Sequence, residues 1–289
     1  MRPTIMFTTL LLAGLSIGLD SEASTPTQKW HDNYRDAATE AKTEGKMLLI
    51  VFCAEGDATK CDCLEEKVLD DPKVRVKLND YACLRVPLDV MIGKGDKKQK
   101  LIDYPSLSEM HGRQGMAIID YAHKDAEYYE TVVSCFPMLN NKPYSADKML
   151  TILGLPSGTL TQRTLIYAVR IHPEHPASTE GQLSPILVKE AQSHSIHQAS
   201  IRLQGHHNWE NRFHRINGKL GNGLTACEVC AESWPGEGLL EGAIECVRCW
   251  RYSSGHWSAV RARHRCYGYD IRRGSNRIWY ATGIFGSRR

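Results

Sequence analysis

The stretch Trp250-Arg-Tyr-Ser-Ser-Gly-His256, followed by Arg277-Ile-Trp-Tyr-Ala-Thr-Gly-Ile-Phe-Gly286, decides how the second half of this chain is read. Ser253 lies three residues after the tryptophan, and a Gly-His pair closes the first segment. The second segment is an aromatic, apolar run that reads as a strand ending on Phe-Gly. From Arg251 to the C-terminus there are nine arginines against one acid, Asp270, although the whole chain sums to only +3. That end is either a solvated arginine-rich sheet face or a positive field suited to an anionic polymer or surface. The small net charge gives no reason to expect a nucleic-acid partner.

A chain of 289 residues predicts two domains, and 42% hydrophobic with 24% charged residues excludes wholesale disorder. Its N-terminus has Arg2, then an uncharged run from Ile5 to Leu19, then the small residues Ser21, Ala23 and Ser24. This is the pattern of a secretory signal peptide over residues 1–24, too short for a membrane span. No cysteine closely follows the run, so a lipid anchor is not expected. The expectation is an exported chain, periplasmic or secreted, with no transmembrane span after processing.

Ten cysteines in an exported chain suggest disulfides, but each half holds five. Either a bridge joins the halves or each half keeps a free thiol.

In the first half, Tyr34, Ala37, Ala38 and Ala41 set a helical pattern ahead of Gly45, and Met47-Leu-Leu-Ile-Val-Phe52 reads as a buried strand. A loop to Cys61, a helix through Leu64 and Val68, a turn at Asp71-Pro72 and a helix through Val76 and Leu78 follow. A strand over Cys83–Asp89 comes next, then a hairpin of Gly115–Asp120 and Thr131–Cys135. This order, over residues 28–155, resembles the thioredoxin-like domains of exported bacterial proteins. The resemblance places a Cys-x-x-Cys pair at the start of the helix after the central strand, where the helix terminus lowers a thiol's pKa. Aligned on Leu64, Cys61 takes the second position and Ala58 replaces the nucleophile, and no proline stands near Gly115-Met116. Cys53, Cys61 and Cys63 are the redox candidates, with a structural bridge or inert thiols as the alternatives. The run Lys94–Lys100 reads as a solvated loop.

In the second half, Leu155-Pro156-Ser-Gly158 marks a linker. Thr159 or Thr161 caps a helix through Leu165, Ala168 and Val169 that stops at His172-Pro173. Ile186, Leu187, Ala191, Ile196, Ala199 and Leu203 fit a long amphipathic helix from Pro185. With the Trp250–His256 and Arg277–Gly286 segments, residues 158–287 resemble the CAP (SCP-like) domain of cysteine-rich secretory and pathogenesis-related proteins. The whole chain is then expected to be α/β and α+β in class, a thioredoxin-like fold followed by a CAP α-β-α sandwich. The resemblance implies a central cavity lined by His256, by His206 from Gly205-His-His-Asn-Trp-Glu-Asn-Arg212 with His207 as alternate, and by Glu228 with Glu232 as fallback. Trp250 belongs to the motif, and Ser253 stands where many members carry a second glutamate. His206, His256 and Glu228 together make a workable divalent site, zinc for example, and equally an acid/base cluster.

Cys227-x-x-Cys230 and Cys246-x-x-Cys249, fifteen residues apart, also match zinc-ribbon spacing. Against it, Cys246–Cys249 lies in a helical pattern, and the CAP resemblance makes both segments helical and facing. His194 and His197, three apart on the long helix, read as a solvent-facing pair, with a metal site as the alternative.

The function expected is that of an exported two-domain binding or adaptor protein whose His/Glu cavity receives an envelope or extracellular ligand, a lipid or an anionic polymer. The alternatives are an extracytoplasmic thiol-disulfide oxidoreductase using Cys53, Cys61 or Cys63, and a hydrolase at His206, Glu228 and His256.

Overall fold

A computed structural model describes residues 28–64, 66–221 and 223–288. The signal-peptide segment at 1–24 lies outside the described residues. Short strand β1 (Trp30–His31) leads into α1 (Tyr34–Glu44). Asn33 caps α1 by accepting the N–H groups of Arg35 and Asp36, and Gly45 ends it at φ 64°, a left-handed conformation glycine adopts without strain. Then come β2 (Met47–Cys53), α2 (Glu66–Leu69), α3 (Pro72–Leu78), β3 (Tyr81–Pro87), β4 (Met91–Ile92), β5 (Gln99–Lys100), β6 (Gly115–Ile119), β7 (Val132–Pro137) and α4 (Ala146–Leu153). The expected helix through Leu64 is shorter than its pattern. It begins at Glu66, while Leu64 bridges Tyr144, and Asp71-Pro72 ends it after one turn because proline excludes the helical conformation from the residue before it.

The second half contains α5 (Leu160–Arg170), β8 (Gln182–Leu183), α6 (Pro185–Ile201), α7 (Trp209–Leu220), β9 (Leu224–Glu232), α8 (Leu239–Tyr252), α9 (Ser254–Arg261), β10 (Cys266–Arg273) and β11 (Trp279–Arg288). Thr159 opens α5, its backbone N–H donating to Gln162 Oε1 at 3.0 Å.

One sheet has the order β1-β3-β2-β6-β7, with β1, β3 and β2 parallel and β6 and β7 antiparallel. The other has the order β8-β10-β11-β9, with β10, β11 and β9 antiparallel and β9 at an edge. The chain is thus of mixed α/β and α+β class.

Alternation along β2 splits its side chains. Leu48, Ile50 and Phe52 face a core shared with Ala37 and Ala41 of α1. Leu49 and Val51 face a larger core that continues through Met149 and Ile152 of α4, Leu165 and Val169 of α5 and Val247 and Trp250 of α8 to Tyr269 and Phe285 of the second sheet. Helices α5 and α8 therefore pack between the two sheets. A third cluster, Leu187, Ala191, Ile216, Ala226 and Ile284, joins α6 and α7 to the other face of the second sheet.

Two expectations fail here for physical reasons. The segment around Cys227 is strand, not helix: Cys227, Val229 and Ala231 enter the large core while Ala226 enters the third cluster, a period of two that a short apolar run conceals. Helix α6 turns inward a face that includes Glu190, His194, Ser195 and Gln198, whereas Ile196 and Leu203 are 49% and 57% exposed. The buried polar groups are satisfied, Ser195 donating to Asp270 at 2.6 Å and Gln198 to Thr282 at 2.9 Å, which removes the penalty that apolar-in patterning assumes. No helix among the described residues is long and apolar enough to cross a membrane.

Candidate functional site

Three elements meet at the edge strand β9. The loop 202–208 between α6 and α7 brings His206, β9 brings Glu228, and α9 brings His256. The loop is fastened to α6: the Gly205 N–H donates to Gln198 Oε1 at 3.1 Å, and the His194 ring donates from Nε2 to the Gly205 carbonyl at 2.9 Å. His206 Nδ1 lies 3.1 Å from Glu228 Oε1, and its Nε2 lies 3.2 Å from His256 Nε2.

The three groups form a chain, carboxylate to imidazole to imidazole, and do not all face one point. Arg212 of α7 donates to the other carboxylate oxygen of Glu228, whose side chain is 1% exposed. Burial alone would raise the Glu228 pKa. Hydrogen bonds from His206 and Arg212, with the charges of His194 and Arg212, outweigh it and hold the carboxyl below its ordinary value. An ionised carboxylate only accepts, so His206 Nδ1 carries the proton and Nε2 of the neutral ring presents its lone pair to His256. The pKa of His256 is lowered, chiefly by burial.

The other residues singled out lie apart from this chain. His207 is half-buried and donates from Nε2 to the Leu203 carbonyl at 3.2 Å. Glu232 is at the exposed end of β9, about 13 Å beyond Glu228 at strand rise. Trp250 has no exposed surface and packs 5.9 Å from the Tyr269 ring, so its part is core packing and not cavity lining. Ser253 joins α8 to α9, its carbonyl accepting the Trp257 N–H at 2.8 Å.

Arg212 was not among the singled-out residues, and two others stand differently from their sequence reading: His194, read as solvent-facing, and Cys230, read as a zinc-ribbon cysteine, are both buried beside Glu228. Cys230 Sγ is 3.8 Å from His206 Nδ1, and ligand atoms of His194, Glu228 and Cys230 lie within 4.8 Å of one another, close enough for a cation. Burial raises the Cys230 thiol well above its ordinary value, so that without an ion it stays protonated at neutral pH. The sequence signal for His194 is the polar stripe Glu190, His194, Ser195, Gln198 at helical spacing, which marks one face of α6.

Cys53 and Cys61 form a disulfide. Cys63 is buried and its pKa is pushed up to about 11 by that burial, so it remains a thiol at neutral pH. The zinc-ribbon pattern does not assemble: Cys227 and Cys230 point to opposite faces of β9, Cys246 is buried in α8, and Cys249 is exposed. Of the C-terminal arginines, Arg251, Arg263 and Arg272 pair with Glu174, Glu180 and Asp270. Arg263, Arg265 and Arg288 line a cleft of about 630 Å³ beside β8.

No protein-family profile matches this chain, and no curated protein does. Among solved structures it is similar to an outer surface protein from Borrelia burgdorferi, at 20% identity over 38% of this chain and 78% of that one, with a TM-score of 0.30.

Proposed function

We propose that this is an exported two-domain binding protein, a thioredoxin-like half without the usual redox pair followed by a CAP-like half, whose site at His206 and His256 takes a divalent cation of the zinc class. The sheet order of the first half and the helix-sheet-helix layering of the second support the two fold readings. The observation that carries the function is the 3.2 Å between His206 Nε2 and His256 Nε2. Two nitrogens bound at zinc distance with tetrahedral angles stand about 3.3 Å apart. Glu228 fits a different role from ligand: it holds the protonated nitrogen of His206 and aims the other at the ion, the usual arrangement behind a metal-bound imidazole. Arg212 in turn keeps Glu228 ionised. The cation would supply Lewis acidity and an open coordination position for an oxygen-bearing ligand. Zinc titration of the full chain tests this. His206→Ala with His256→Ala should abolish one bound ion and leave the fold intact; unchanged binding there refutes the reading.

A second reading, thiol-disulfide exchange, has one observation in its favour, the Cys53–Cys61 bridge with Cys61 partly accessible. Reduction of that bridge by a dithiol with no subsequent transfer to a protein disulfide would reject it.

A further inference from the structure

His194, His197 and His207 stand as a triangle of imidazoles distinct from the His206–His256 pair. Their ring centres are 6.2 Å apart for His194 and His197, 6.1 Å for His194 and His207, and 5.6 Å for His197 and His207. The first two rings come from α6 three residues apart, one turn along the same face, and the third from the loop that α6 holds in place.

We propose that His194, His197 and His207 form a second metal site, a three-imidazole cradle for a divalent ion of the zinc class. Two of the three rings have Nε2 fixed by a backbone carbonyl. His194 donates from Nε2 to the Gly205 carbonyl and His207 from Nε2 to the Leu203 carbonyl, and a carbonyl oxygen can only accept. Each neutral ring therefore carries its proton on Nε2 and offers the lone pair of Nδ1. A backbone carbonyl on the second ring nitrogen is the common outer support of a ligating histidine.

Around one tetrahedral ion three imidazole centres stand about 5–5.5 Å apart. The triangle here is wider by about 1 Å or less, and as the rings stand they do not bring one nitrogen each within 4.8 Å of one another; the site forms by rotation of His197, which is exposed and whose ring makes no hydrogen bond among the described residues. That exposed side also gives the ion its entry and leaves the fourth position to water or an anionic ligand group. Because His206 and His207 are neighbours on one loop, an ion in the cradle would fasten the segment that presents His206.

This inference does not require the His206–His256 site to bind anything, and one experiment separates the two. The full chain and two double variants, His197→Ala with His207→Ala and His206→Ala with His256→Ala, are compared by equilibrium dialysis against zinc, with cobalt absorption reporting imidazole coordination. The cradle predicts that the His197/His207 variant loses one ion relative to the unsubstituted chain and that the His206/His256 variant retains it. His197→Ala alone, at an exposed position, should weaken that ion by at least about tenfold. If the His197/His207 variant binds as much zinc as the unsubstituted chain, the cradle does not exist. If it loses an ion and the His206/His256 variant loses none, the cradle stands and the proposed function at His206 falls.

Discussion

Glu228 shows how much one buried charge organises. Its carboxylate accepts from Arg212 on one oxygen and from His206 on the other, with His194 Nε2 at 3.7 Å. Glu228→Gln leaves the guanidinium of Arg212 buried without its counter-charge, and Arg212 Nη1 already has no partner among the described residues. Urea unfolding at neutral pH should show a loss of about 3–5 kcal/mol. The sign of the pH effect follows from the lowered pKa. Stability contributed by Glu228 is complete above its ordinary value of 4.5 and is lost as pH falls through the lower folded value, so the Gln variant should lack that acid-side decline. His194 acts over a different window. Its pKa falls from 6.5 to about 4 on folding, so the unfolded chain binds the extra proton and stability drops as pH falls from 6.5 toward 4. His194→Gln should flatten that part of the stability-pH curve; an unchanged slope there would reject burial of a neutral imidazole. At this scale the sequence was partly legible. His206, Glu228 and His256 could be singled out because a resemblance marks them, whereas Arg212 could not, since nothing in linear order says that its guanidinium meets a carboxylate sixteen residues on.

Helix α6 is the element that places the site, because it holds His194 and anchors the loop bearing His206. It lies directly on β10, where a side-chain carbon on Gly268 would come within 2.2–2.6 Å of the Leu187 and Val188 backbone. Gly268→Ala must push the helix off the sheet and should cost about 1–3 kcal/mol. Gly218, inside α7, has nothing within 4 Å of such a carbon, so Gly218→Ala should stabilise by about 0.5–1 kcal/mol. Opposite shifts in melting temperature check the pair; equal effects would mean that α6 does not pack on β10 through Gly268. The length of α6 was readable from its apolar positions, but its orientation was not. Ser195 and Gln198 point inward because Asp270 and Thr282 wait there, and those partners lie 75 and 84 residues away.

Across the whole molecule the two halves share one apolar core, in which the rings of Phe136 of β7 and Tyr167 of α5 meet at a tilt with centres 4.6 Å apart. Arg163 of α5, fully buried, adds a polar tie at the same junction: it donates to Ser134 of β7 at 2.9 Å and to the Pro156 carbonyl at 2.7 Å. Calorimetry of the full chain should therefore give a single cooperative transition, with Arg163→Ala lowering it as a unit by about 3–5 kcal/mol because several buried acceptors lose their donor together. Two resolved transitions would show that the shared core does not couple the halves.

Local chemistry in the sequence determined most of the regular elements: Asn33 and Gly45 bound α1, Asp71-Pro72 starts α3, and the apolar run Met47–Phe52 makes a central strand. These signals act over a few residues, so they can be read in linear order. The strand at Cys227, the inward polar face of α6, the pairing of Cys53 with Cys61 and the chain from Arg212 through Glu228 and His206 to His256 were decided only by the tertiary structure. Each depends on which distant group supplies a hydrogen bond, a sulfur or a counter-charge, and that is set by packing.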